Sequence, residues 1–446
     1  MPINLKLFSF WAKTGQRHDA DFPVSPGSLP EFHPLIYHLL DVAACAEALL
    51  CNEQPRVKRL AKYCNANLAE LSRCLVALIA LHDIGKFARG FQGKVVDLWP
   101  DFLGPKPDKE LSVRHDAAGL WLFCEDGNLA KVAEKMLPDL CPSKRLKMIQ
   151  AVCGHHGEPI DTAFGDIGNH KKTIGPKARE AAATIAGGII ELLQPPVCPL
   201  KDRYVPLASF WLAGLTVLAD WLGSNRTWFE FQPPPMNCDL VANMKTYWET
   251  YARPGADRAL TEAGLRPASV SPRTGLAHLF GASYDATPLQ NYAESVDLPD
   301  GPLLFIIEDM TGAGKTEAAV ILAHRLMLSN KARGLYIALP TMATANAMFT
   351  RLASSYRRLF NTTCAPSIVL THGRRELFTG FTHLQAAVAR YDGDTRDEDD
   401  PSEIEASAFC ADWLARSNKQ ASVLPAPVIS SMMNSNGPSG RSRLSA

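Results

Sequence analysis

Two groups of residues in this chain of 446 residues could do chemistry. The doublet His82 and Asp83 ends an apolar run in ALIALHDIGKF, and imidazole beside carboxylate is a donor set that binds divalent metal ions in hydrolases. The segment from Thr311 to Thr316, TGAGKT, is a glycine-rich loop of the kind that binds phosphate. The sequence therefore predicts a metal-dependent hydrolase that also carries an ATP site.

Further candidate metal ligands are spread over the first half of the chain. A lone histidine is usually a core or surface residue, so coincidence is the simplest alternative for each one taken singly. As a set they gain weight because Gly154 and Gly157 flank two adjacent histidines, and because Asp220 lies in a mostly apolar segment, where an unpaired carboxylate costs several kcal/mol. The candidate ligands are His38, His82, Asp83, His115, His155, His156 and Asp220.

The ligand types indicate which ions would bind and what they would do. Imidazole favours Fe, Mn, Co, Ni or Zn over Mg. Two such ions sharing a carboxylate, about 3.5 to 4 Å apart, lower the pKa of bound water and hold the attacking and leaving oxygens of a phosphodiester. The set therefore predicts phosphodiester hydrolysis at a centre of two divalent transition-metal ions.

The phosphate loop follows a predicted strand and opens a predicted helix. Backbone N–H groups of such a loop surround phosphate, its lysine supplies positive charge, and its threonine can hold Mg²⁺. Asp309 stands where loops of this kind usually have their first glycine. Gln290, upstream of the loop, either contacts the adenine edge or is an ordinary surface residue. The candidate ATP-binding residues are Gln290, Thr311, Gly312, Ala313, Gly314, Lys315 and Thr316.

Periodicity along the chain predicts the elements that must position these residues. Apolar residues recur every three or four positions from about Phe32 to Trp248, which predicts helices almost throughout. Residues 252–298 are rich in Pro, Gly, Ala, Ser and Thr, which is typical of a linker. From residue 299 two successive patterns of strand, loop and helix predict a parallel β-α-β arrangement. After Pro425 the chain has few core-forming residues, which predicts disorder.

Composition narrows the class of protein further. Lys plus Arg equals Asp plus Glu at 46 each, so any contact with nucleic acid must rest on local patches or on metal ions. The eleven cysteines include no CxxC pair and follow no signal peptide, which favours reduced thiols in the cytoplasm. The longest apolar stretch, Leu207 to Leu222, is shorter than the roughly 20 residues of a membrane span, and Asp220 lies near its end. It predicts a buried helix, and we expect no membrane association.

The order and spacing of these motifs resemble the CRISPR-associated helicase-nuclease of type I systems. YHLLDVAA, HDIGK, RHDAAG, GHHG and LADWLGS resemble its HD nuclease domain, and TGAGKTEAA and ALPTMATANAMF resemble its first two helicase motifs. The resemblance covers about Phe32 to Phe349, and more loosely the residues up to Trp413. It implies a CRISPR RNA-guided surveillance complex as the partner, single-stranded DNA as the substrate, and ATP with Mg as further cofactors.

The same resemblance implies a role for each ligand. His38, His82, Asp83 and Asp220 would bind one metal ion. The second ion would be held by Asp83, His115, His155 and His156, with Asp83 as the bridge. Lys86, in HDIGK, would either contact the substrate phosphate or pair with a carboxylate at the surface, so the implied catalytic residues are His82, Asp83 and Lys86.

The sequence departs from this family in its second half. A superfamily 2 helicase also needs a DExH or DExD box and a second RecA-like domain with arginine fingers, and neither is evident. The string from Asp397 to Asp400 spells DExD, but YDGDTR precedes it in place of an apolar strand, which favours a loop. The resemblance thus implies truncation or a reading-frame disruption within the first RecA-like domain, and a lost motor.

We therefore predict a multidomain chain with an all-α HD domain followed by an incomplete RecA-like α/β domain. The predicted bounds are 1–250 for the HD domain, 251–298 for a linker, 299–424 for the partial RecA-like domain and 425–446 for a disordered tail. The predicted function is metal-dependent cleavage of single-stranded DNA in CRISPR defence. Two alternatives stay open, an HD phosphohydrolase acting on nucleotides and a non-catalytic remnant that binds nucleotide.

Overall fold

The computed structural model describes residues 6–14, 32–51, 55–106, 114–156, 160, 172–235, 239–263 and 265–362, except 267, 282, 284 and 333, and the backbone of 421–423. The chain forms two units that meet in sequence at Glu262 and Ala263. Three predictions fall on residues outside this description. They concern Gly157, the acidic string from Asp397 to Asp400, and the tail at 425–446.

The first unit is helical, as predicted. A short antiparallel ribbon, in which Trp11 pairs with Pro34 and Thr14 with Phe32, is the one strand pair in its described part. Its elements are β1 (Trp11–Thr14), β2 (Phe32–Pro34), α1 (Leu35–Cys51), α2 (Pro55–Cys64), α3 (Leu68–Ile79), α4 (His115–Glu125), α5 (Gly127–Met136), α6 (Pro142–Cys153), α7 (Pro176–Leu193), α8 (Val205–Gly223), α9 (Leu240–Tyr247) and α10 (Arg253–Glu262). A 3-10 turn (Ile84–Phe87) and one helical turn (Arg89–Gln92) lie between α3 and α4.

Local chemistry sets where several of these helices begin. Side-chain oxygens of Asn67, Asp126 and Asp239 accept hydrogen bonds from free backbone N–H groups in the first turns of α3, α5 and α9. Proline occupies the first turn of α6, α7 and α8, where its missing N–H costs nothing. Sequence-local signals therefore determine these boundaries.

Helix α1 forms the centre of the first unit. It packs against α3, α8 and α10, and its apolar side chains are buried on all sides. Helix α8 packs on α1 and α6. By length and composition alone, the segment Asp202–Gly223 could cross a membrane. This is weak evidence for a membrane span, because the core helix of a soluble protein passes the same test. Less than half of this segment, 44%, is buried, and Phe210 is 50% exposed, so the predicted burial holds only for the face that packs against α1 and α6.

The second unit contains four helices and one strand pair in its described part. Its helices share one apolar core, in which Leu279, Ile321 and Leu352 are buried, and α12 packs against α13. The elements are α11 (Leu276–Phe280), α12 (Pro288–Ser295), α13 (Lys315–Leu328), β3 (Ile337–Ala338), α14 (Met342–Arg358) and β4 (Ala421–Val423). The predicted helices after the phosphate loop and after ALPT are present as α13 and α14.

Two predictions for this region need correction. The segment 251–298 was expected to be a linker, yet it contains α10, α11 and α12, because small residues such as Ala256, Ala259 and Ala293 pack closely in the cores. The predicted parallel β-α-β pattern is also absent from the described residues, in which β3 pairs antiparallel with β4.

The predicted strand before the phosphate loop explains the second correction. Its side chains alternate as a strand requires, with Phe305 and Ile307 packed on the core while Leu304 and Ile306 are 85% and 78% exposed. Within the described residues no other strand forms hydrogen bonds with this segment, so it is not part of a sheet there. A strand pattern in sequence specifies a face and not a partner, and the incomplete RecA-like domain is not confirmed.

Candidate metal centre

All seven predicted metal ligands meet in one pocket of the first unit. Each lies on a helix or at a helix end, so the helical framework sets their positions. His38 is in the first turn of α1, and His82 and Asp83 lie in the turn after α3. His115 begins α4, and Asp220 is in the last turn of α8. His155 and His156 follow Gly154, at which α6 ends.

The first ligand group consists of two histidines and two carboxylates. His38 Nε2 lies 3.0 Å from Asp83 Oδ2 and 3.6 Å from Asp220 Oδ1. His82 Nε2 lies 3.3 Å and 3.4 Å from the same two oxygens. One ligand atom from each of these four residues falls within 4.8 Å of the others, which is a spacing that could hold a metal ion.

The second ligand group consists of three histidines. His115, His155 and His156 also place one ligand atom each within 4.8 Å of one another. The Nε2 atoms of His156 and His115 are 2.8 Å apart. That separation is close to the roughly 3 Å between neighbouring ligand atoms around an ion with bonds of about 2.1 Å at right angles.

Asp83 lies between the two groups. Its Oδ2 atom faces His38 and His82, whereas its Oδ1 atom is 3.4 Å from His115 Nε2 and 3.3 Å from His155 Nε2. One carboxylate thus presents one oxygen to each group. This is the arrangement that a carboxylate shared by two cations requires.

Burial and charge set the protonation states in this pocket. Burial lowers the pKa of His38 to about 3 and of His156 to about 4, and it also lowers the pKa of His115 well below its usual value. Burial alone would raise the pKa of Asp83, but Lys86, His82 and His155 outweigh it and hold that pKa well below the usual range. Neutral imidazole and ionised carboxylate are the forms that bind metal.

His82 differs from the other histidines. Burial would lower its pKa, but the charges of Asp83 and Asp220 overcome this and raise the pKa to about 9. Its Nδ1 atom donates a hydrogen bond to the Ile79 carbonyl at 3.0 Å, which directs Nε2 into the pocket. The raised pKa favours a positive charge on His82 between the two carboxylates, where a metal cation would also be favoured.

Two buried atoms favour a cation in the pocket. His82 Nε2 and Asp83 Oδ1 make no hydrogen bond within the part of the chain that the structure describes. Leaving buried polar groups without a hydrogen bond is costly, and one metal ion in each ligand group would provide a partner for the atom that faces it. The donor set of imidazoles and carboxylates suits a divalent transition-metal ion, so the residues present fit such a group.

Lys86 is buried within this pocket. Its ammonium Nζ lies 2.9 Å from Asp83 Oδ2, and its side chain is 5% exposed. Pairing with a carboxylate was one of its two predicted roles, but the pair lies inside the pocket and not at the surface. The ammonium also lies 5.4 Å from the centre of the Phe91 ring, which forms part of its surroundings.

One contact in the pocket was not predicted. The Ser224 hydroxyl donates to Asp220 Oδ1 at 3.0 Å, and its position four residues later on the chain is the helical spacing that brings two side chains together. The string LADWLGS contains this signal. Ser224 therefore helps to orient the Asp220 carboxylate through the same oxygen that faces His38 and His82.

Gly85 allows α4 to approach the HDIGK turn. A Cβ atom at this position would lie 1.8 Å from the His115 carbonyl oxygen and 2.4 Å from the Gly119 nitrogen, and both are backbone atoms that cannot rotate away. The close approach brings His115 to Asp83. The glycine is thus required by packing at the site and not by its own backbone angles.

We expect Gly85→Ala to lower the melting temperature sharply and to reduce metal binding, because the added methyl separates α4 from the turn. Overpacking typically costs about 1–3 kcal/mol, and contact with backbone places this case at or above the upper end. Thermal denaturation followed by circular dichroism measures the effect. Gly187→Ala in α7 is the matched control, since no heavy atom lies within 4 Å of its Cβ position and alanine favours a helix. Equal stability of Gly85→Ala and wild type would contradict the packing argument.

The predicted ATP-binding residues are also brought together, in the second unit. Gly312 and Gly314 adopt φ angles of 90° and 84°, which form the turn ahead of α13. Lys315 Nζ donates to the carbonyls of Asp309 and Met310 at 2.6 and 2.7 Å, so its ammonium lies against the loop. Thr311 and Thr316 border the same turn. Ala313 accepts a hydrogen bond from the Thr287 hydroxyl at 3.1 Å.

Gln290 lies against this loop and not on the open surface. It is 2% exposed, and its Nε2 atom is 2.0 Å from the position of a Cβ on Gly314. Its Oε1 atom accepts the Thr287 N–H at 3.0 Å within a capping box at the start of α12. The amide oxygen is therefore engaged in the fold, and only the amide nitrogen faces the loop.

A helical unit with a buried His-Asp doublet, five converging histidines in all and a second aspartate defines an HD-domain protein with a candidate centre for divalent metal. Residues 11–229 match the sequence family described as "Cas3, HD domain". The chain is 31% identical over 420 residues to the CRISPR-associated endonuclease/helicase Cas3 of Escherichia coli K12, which covers 87% of this chain and 44% of that relative. With the protein of the same name from Thermus thermophilus it is 29% identical, over 80% of this chain and 37% of the other.

Solved structures agree with these sequence matches. The crystal structure of T. fusca Cas3-AMPPNP matches with a TM-score of 0.58 and 25% identity, over 81% of this chain and 38% of that one. The chain belongs to the family of CRISPR-associated HD nuclease/helicases and carries the Cas3 HD domain at residues 11–229. It spans less than half the length of the curated relatives that it matches.

Proposed function

We propose that this chain is a metal-dependent nuclease that cleaves single-stranded DNA in CRISPR defence. The observation that carries the proposal is the position of Asp83, a buried carboxylate with one oxygen toward each of two ligand groups. The name of the relatives, CRISPR-associated endonuclease/helicase, supports a nucleic acid as the substrate. A single strand and a CRISPR RNA-guided surveillance complex as partner follow from the family resemblance, as does a cytoplasmic location.

In this proposal each ligand group holds one divalent transition-metal ion, and Asp83 contributes to both. Ions bound there would supply a water molecule with lowered pKa and positive charge for the phosphodiester. Burial keeps His38, His115 and His156 neutral. Neighbouring positive charges hold the Asp83 and Asp220 carboxylates ionised, so that these five ligands stand in their binding forms. Lys86 adds one fixed positive charge beside Asp83, where it can stabilise a phosphate oxygen.

The exposed side of the pocket indicates where a strand would approach. The Asp220 side chain is 13% exposed and His156 is partly exposed, whereas the side chains of His38 and His82 are fully buried. Substrate would therefore reach the centre past Asp220 and His156. The opposite wall, formed by α1 and the turn after α3, excludes water.

The second unit would bind ATP with Mg²⁺ through the loop at Gly312 to Thr316. Lys315 would leave the carbonyls of Asp309 and Met310 and donate to phosphate oxygens, which accept such bonds more strongly because they are charged. The positive φ angles of Gly312 and Gly314 support this proposal, because they let successive N–H groups point to one side.

We expect Lys315→Ala to weaken ATP binding by about tenfold or more, since a hydrogen bond to a charged group contributes roughly 1.5–3 kcal/mol. Metal-dependent cleavage of DNA should be unchanged, because its ligands lie in the other unit. Titration with a fluorescent ATP analogue measures the affinity. Lys331→Ala is the matched control, since this lysine also donates to backbone carbonyls, those of Leu298 and Pro299. Unchanged ATP affinity in Lys315→Ala would exclude this loop as the phosphate site.

The proposed function is tested with the purified chain and Mn²⁺, offered single-stranded DNA and, separately, deoxynucleoside triphosphates. Cleavage of the strand supports the nuclease. Hydrolysis of the triphosphates alone would indicate an HD phosphohydrolase instead. Absence of both reactions, in protein shown to be folded by circular dichroism, would leave a non-catalytic remnant.

A further inference from the structure

Helix α2 presents a basic surface that the proposed catalytic residues do not use. The segment PRVKRLAKYC contains four basic residues and no acidic residue. Val57, Leu60 and Cys64 face the core and are buried, while Lys58, Arg59, Lys62 and Tyr63 are exposed. In a chain with zero net charge, this concentrates positive charge on one helix face.

A pair of tyrosines, of which Tyr63 is exposed and Tyr204 half-buried, adjoins this positive charge. The Tyr63 side chain is 51% exposed, and its ring centre lies 5.6 Å from that of Tyr204 in an edge-to-face contact. The Arg203 guanidinium lies 4.7 Å from the centre of the Tyr204 ring. The edge-to-face contact with Tyr204 restricts the orientation of the Tyr63 ring at the surface. The exposed Tyr63 ring therefore offers an aromatic surface beside the basic residues of α2.

The basic residues are available to a ligand. Arg59 and Lys62 form no ion pair with any residue that the structure describes, and both are exposed. They are three positions apart on α2, with Tyr63 one position further, so all three lie on the same side of the helix. An anionic chain that follows this side would meet positive charge and then an aromatic ring.

This surface is separate from the candidate metal centre. Tyr204 directly precedes α8, and Asp220 lies in the last turn of that helix, 16 positions later. At a rise of about 1.5 Å per residue the two are about 24 Å apart along the helix axis. Substitutions on the surface therefore do not touch a metal ligand.

We propose that Arg59, Lys62, Tyr63, Arg203 and Tyr204, which we name the α2 surface, bind single-stranded nucleic acid at a distance from the cleavage centre. The inference rests on the proposed nuclease function, since it adds a second contact for the substrate strand. Basic side chains follow the phosphates, and a base stacks on the exposed tyrosine. An unpaired base has a free face for such stacking, whereas bases inside a duplex are already stacked, so a single strand fits better than a duplex. An acidic protein would need only the basic side chains for binding, whereas a nucleic acid would also use the tyrosine ring, so the exposed ring favours a nucleic acid.

Binding of a labelled oligodeoxythymidine of about 16 nucleotides tests the α2 surface in solution. Fluorescence anisotropy is measured with EDTA present, so that cleavage and metal contacts do not contribute. We expect Tyr63→Ala to weaken binding about tenfold through the loss of one stacked base, and Tyr63→Phe to bind as wild type does. Arg59→Ala with Lys62→Ala should lower the slope of log affinity against log salt by about 1.4, at about 0.7 for each phosphate contact. A merely structural role would not change that slope.

The control is the double variant Lys131→Ala and Lys135→Ala on α5, which removes the same charge from another exposed helix face. Equal effects in this control, or unchanged affinity in Tyr63→Ala, would overturn the proposal. A competition experiment gives a further test. If a polyglutamate peptide binds wild type as tightly as the oligonucleotide does, and loses that affinity in the variant with Arg59→Ala and Lys62→Ala, the surface would be assigned to an acidic protein and the proposal would be overturned.

Hydrolysis of bis-p-nitrophenyl phosphate with Mn²⁺ separates this inference from the proposed function. This small diester reaches the metal centre without the α2 surface, so the variants should hydrolyse it as wild type does. If wild type cleaves the diester while strand binding ignores the α2 surface, the inference fails and the nuclease stands. If wild type binds strands through the α2 surface but cleaves neither substrate, the nuclease fails and the surface stands.

Discussion

Replacing Asp83 with asparagine should abolish metal-dependent cleavage of single-stranded DNA. The carboxylate faces both ligand groups, one oxygen to each, so both lose an anionic donor at once. Loss of a general catalytic group costs about 10² to 10⁴ in rate, and removal of a ligand shared by two ions should cost at least as much. Gel assays with end-labelled DNA measure the rate, and metal content measured by mass spectrometry should fall in parallel.

The substitution removes the Asp83 carboxylate from the ion pair with the buried Lys86 ammonium. Breaking a buried ion pair typically costs about 3–5 kcal/mol, so this variant should also unfold at lower temperature. The double variant Asp83→Asn and Lys86→Met removes both charges and should recover stability without recovering cleavage. Restored cleavage in the double variant would mean that Asp83 acts only by neutralising Lys86.

Asp41 offers a matched control for the loss of a buried carboxylate. It lies on α1 one turn after His38, 2.8 Å from His33 Nε2, and it accepts a hydrogen bond from the Tyr247 hydroxyl at 3.0 Å. Burial raises its pKa to about 6. Asp41→Asn should reduce stability but keep metal content and cleavage. If Asp41→Asn and Asp83→Asn lose activity equally, the assignment of Asp83 to the metal centre is wrong.

Removing metal should have the second large effect. EDTA should stop cleavage, and activity should return with Mn²⁺, Co²⁺ or Ni²⁺ better than with Ca²⁺, because imidazole ligands suit the transition metals while calcium prefers oxygen. An ion bound at a hundredfold excess over its Kd stabilises the fold by about 2.7 kcal/mol. For a unit of this size that corresponds to a rise of about 5–10 °C in melting temperature.

Differential scanning fluorimetry with each ion measures this shift, and calorimetric titration gives the number of ions bound. His115→Ala and Asp220→Ala separate the two ligand groups, since each should remove one ion. A chelator that leaves cleavage unaffected, or Ca²⁺ acting as well as Mn²⁺, would contradict the proposed centre.

The pH dependence of metal affinity follows from His82. Because the neighbouring carboxylates raise its pKa to about 9, the metal-free protein holds a proton on His82 at neutral pH. A cation has to displace that proton, so affinity should rise with pH up to about 9 and fall by about tenfold for each unit below it. Titrations at several pH values measure this slope. Affinity independent of pH between about 6 and 8 would contradict this, because it would show that His82 is already neutral in the metal-free protein or is not a ligand.

Much of the site could be predicted from the chain because its ligands lie in short strings with glycine or apolar neighbours. HDIGK, GHHG and LADWLGS each contain a polar group that a helical core would not otherwise tolerate. The structure brings all seven residues together, with Asp83 between two groups. Ser224 was also within reach of the sequence, since its spacing from Asp220 is one helical turn.

The second half of the chain was less predictable for a physical reason. The burial alternation from Leu304 to Ile307 specifies which side chains face the core. Whether the segment joins a sheet depends instead on a second strand that hydrogen-bonds to it, and its own sequence does not specify that strand. The pairing of β3 with β4 joins residues far apart in sequence. Likewise, the composition of 251–298 predicted a linker, although small residues also suit helices that pack closely.

The sequence by itself determined the residue types of the metal centre, the helical class of the first unit and the phosphate loop, because each depends on local spacing. Only the tertiary structure decided which oxygen of Asp83 faces which histidines, that Lys86 is buried against it, and that Gly85 lies on the backbone of His115. These features depend on how separate helices pack, and periodicity shows which face of a helix is buried but not which helix covers it.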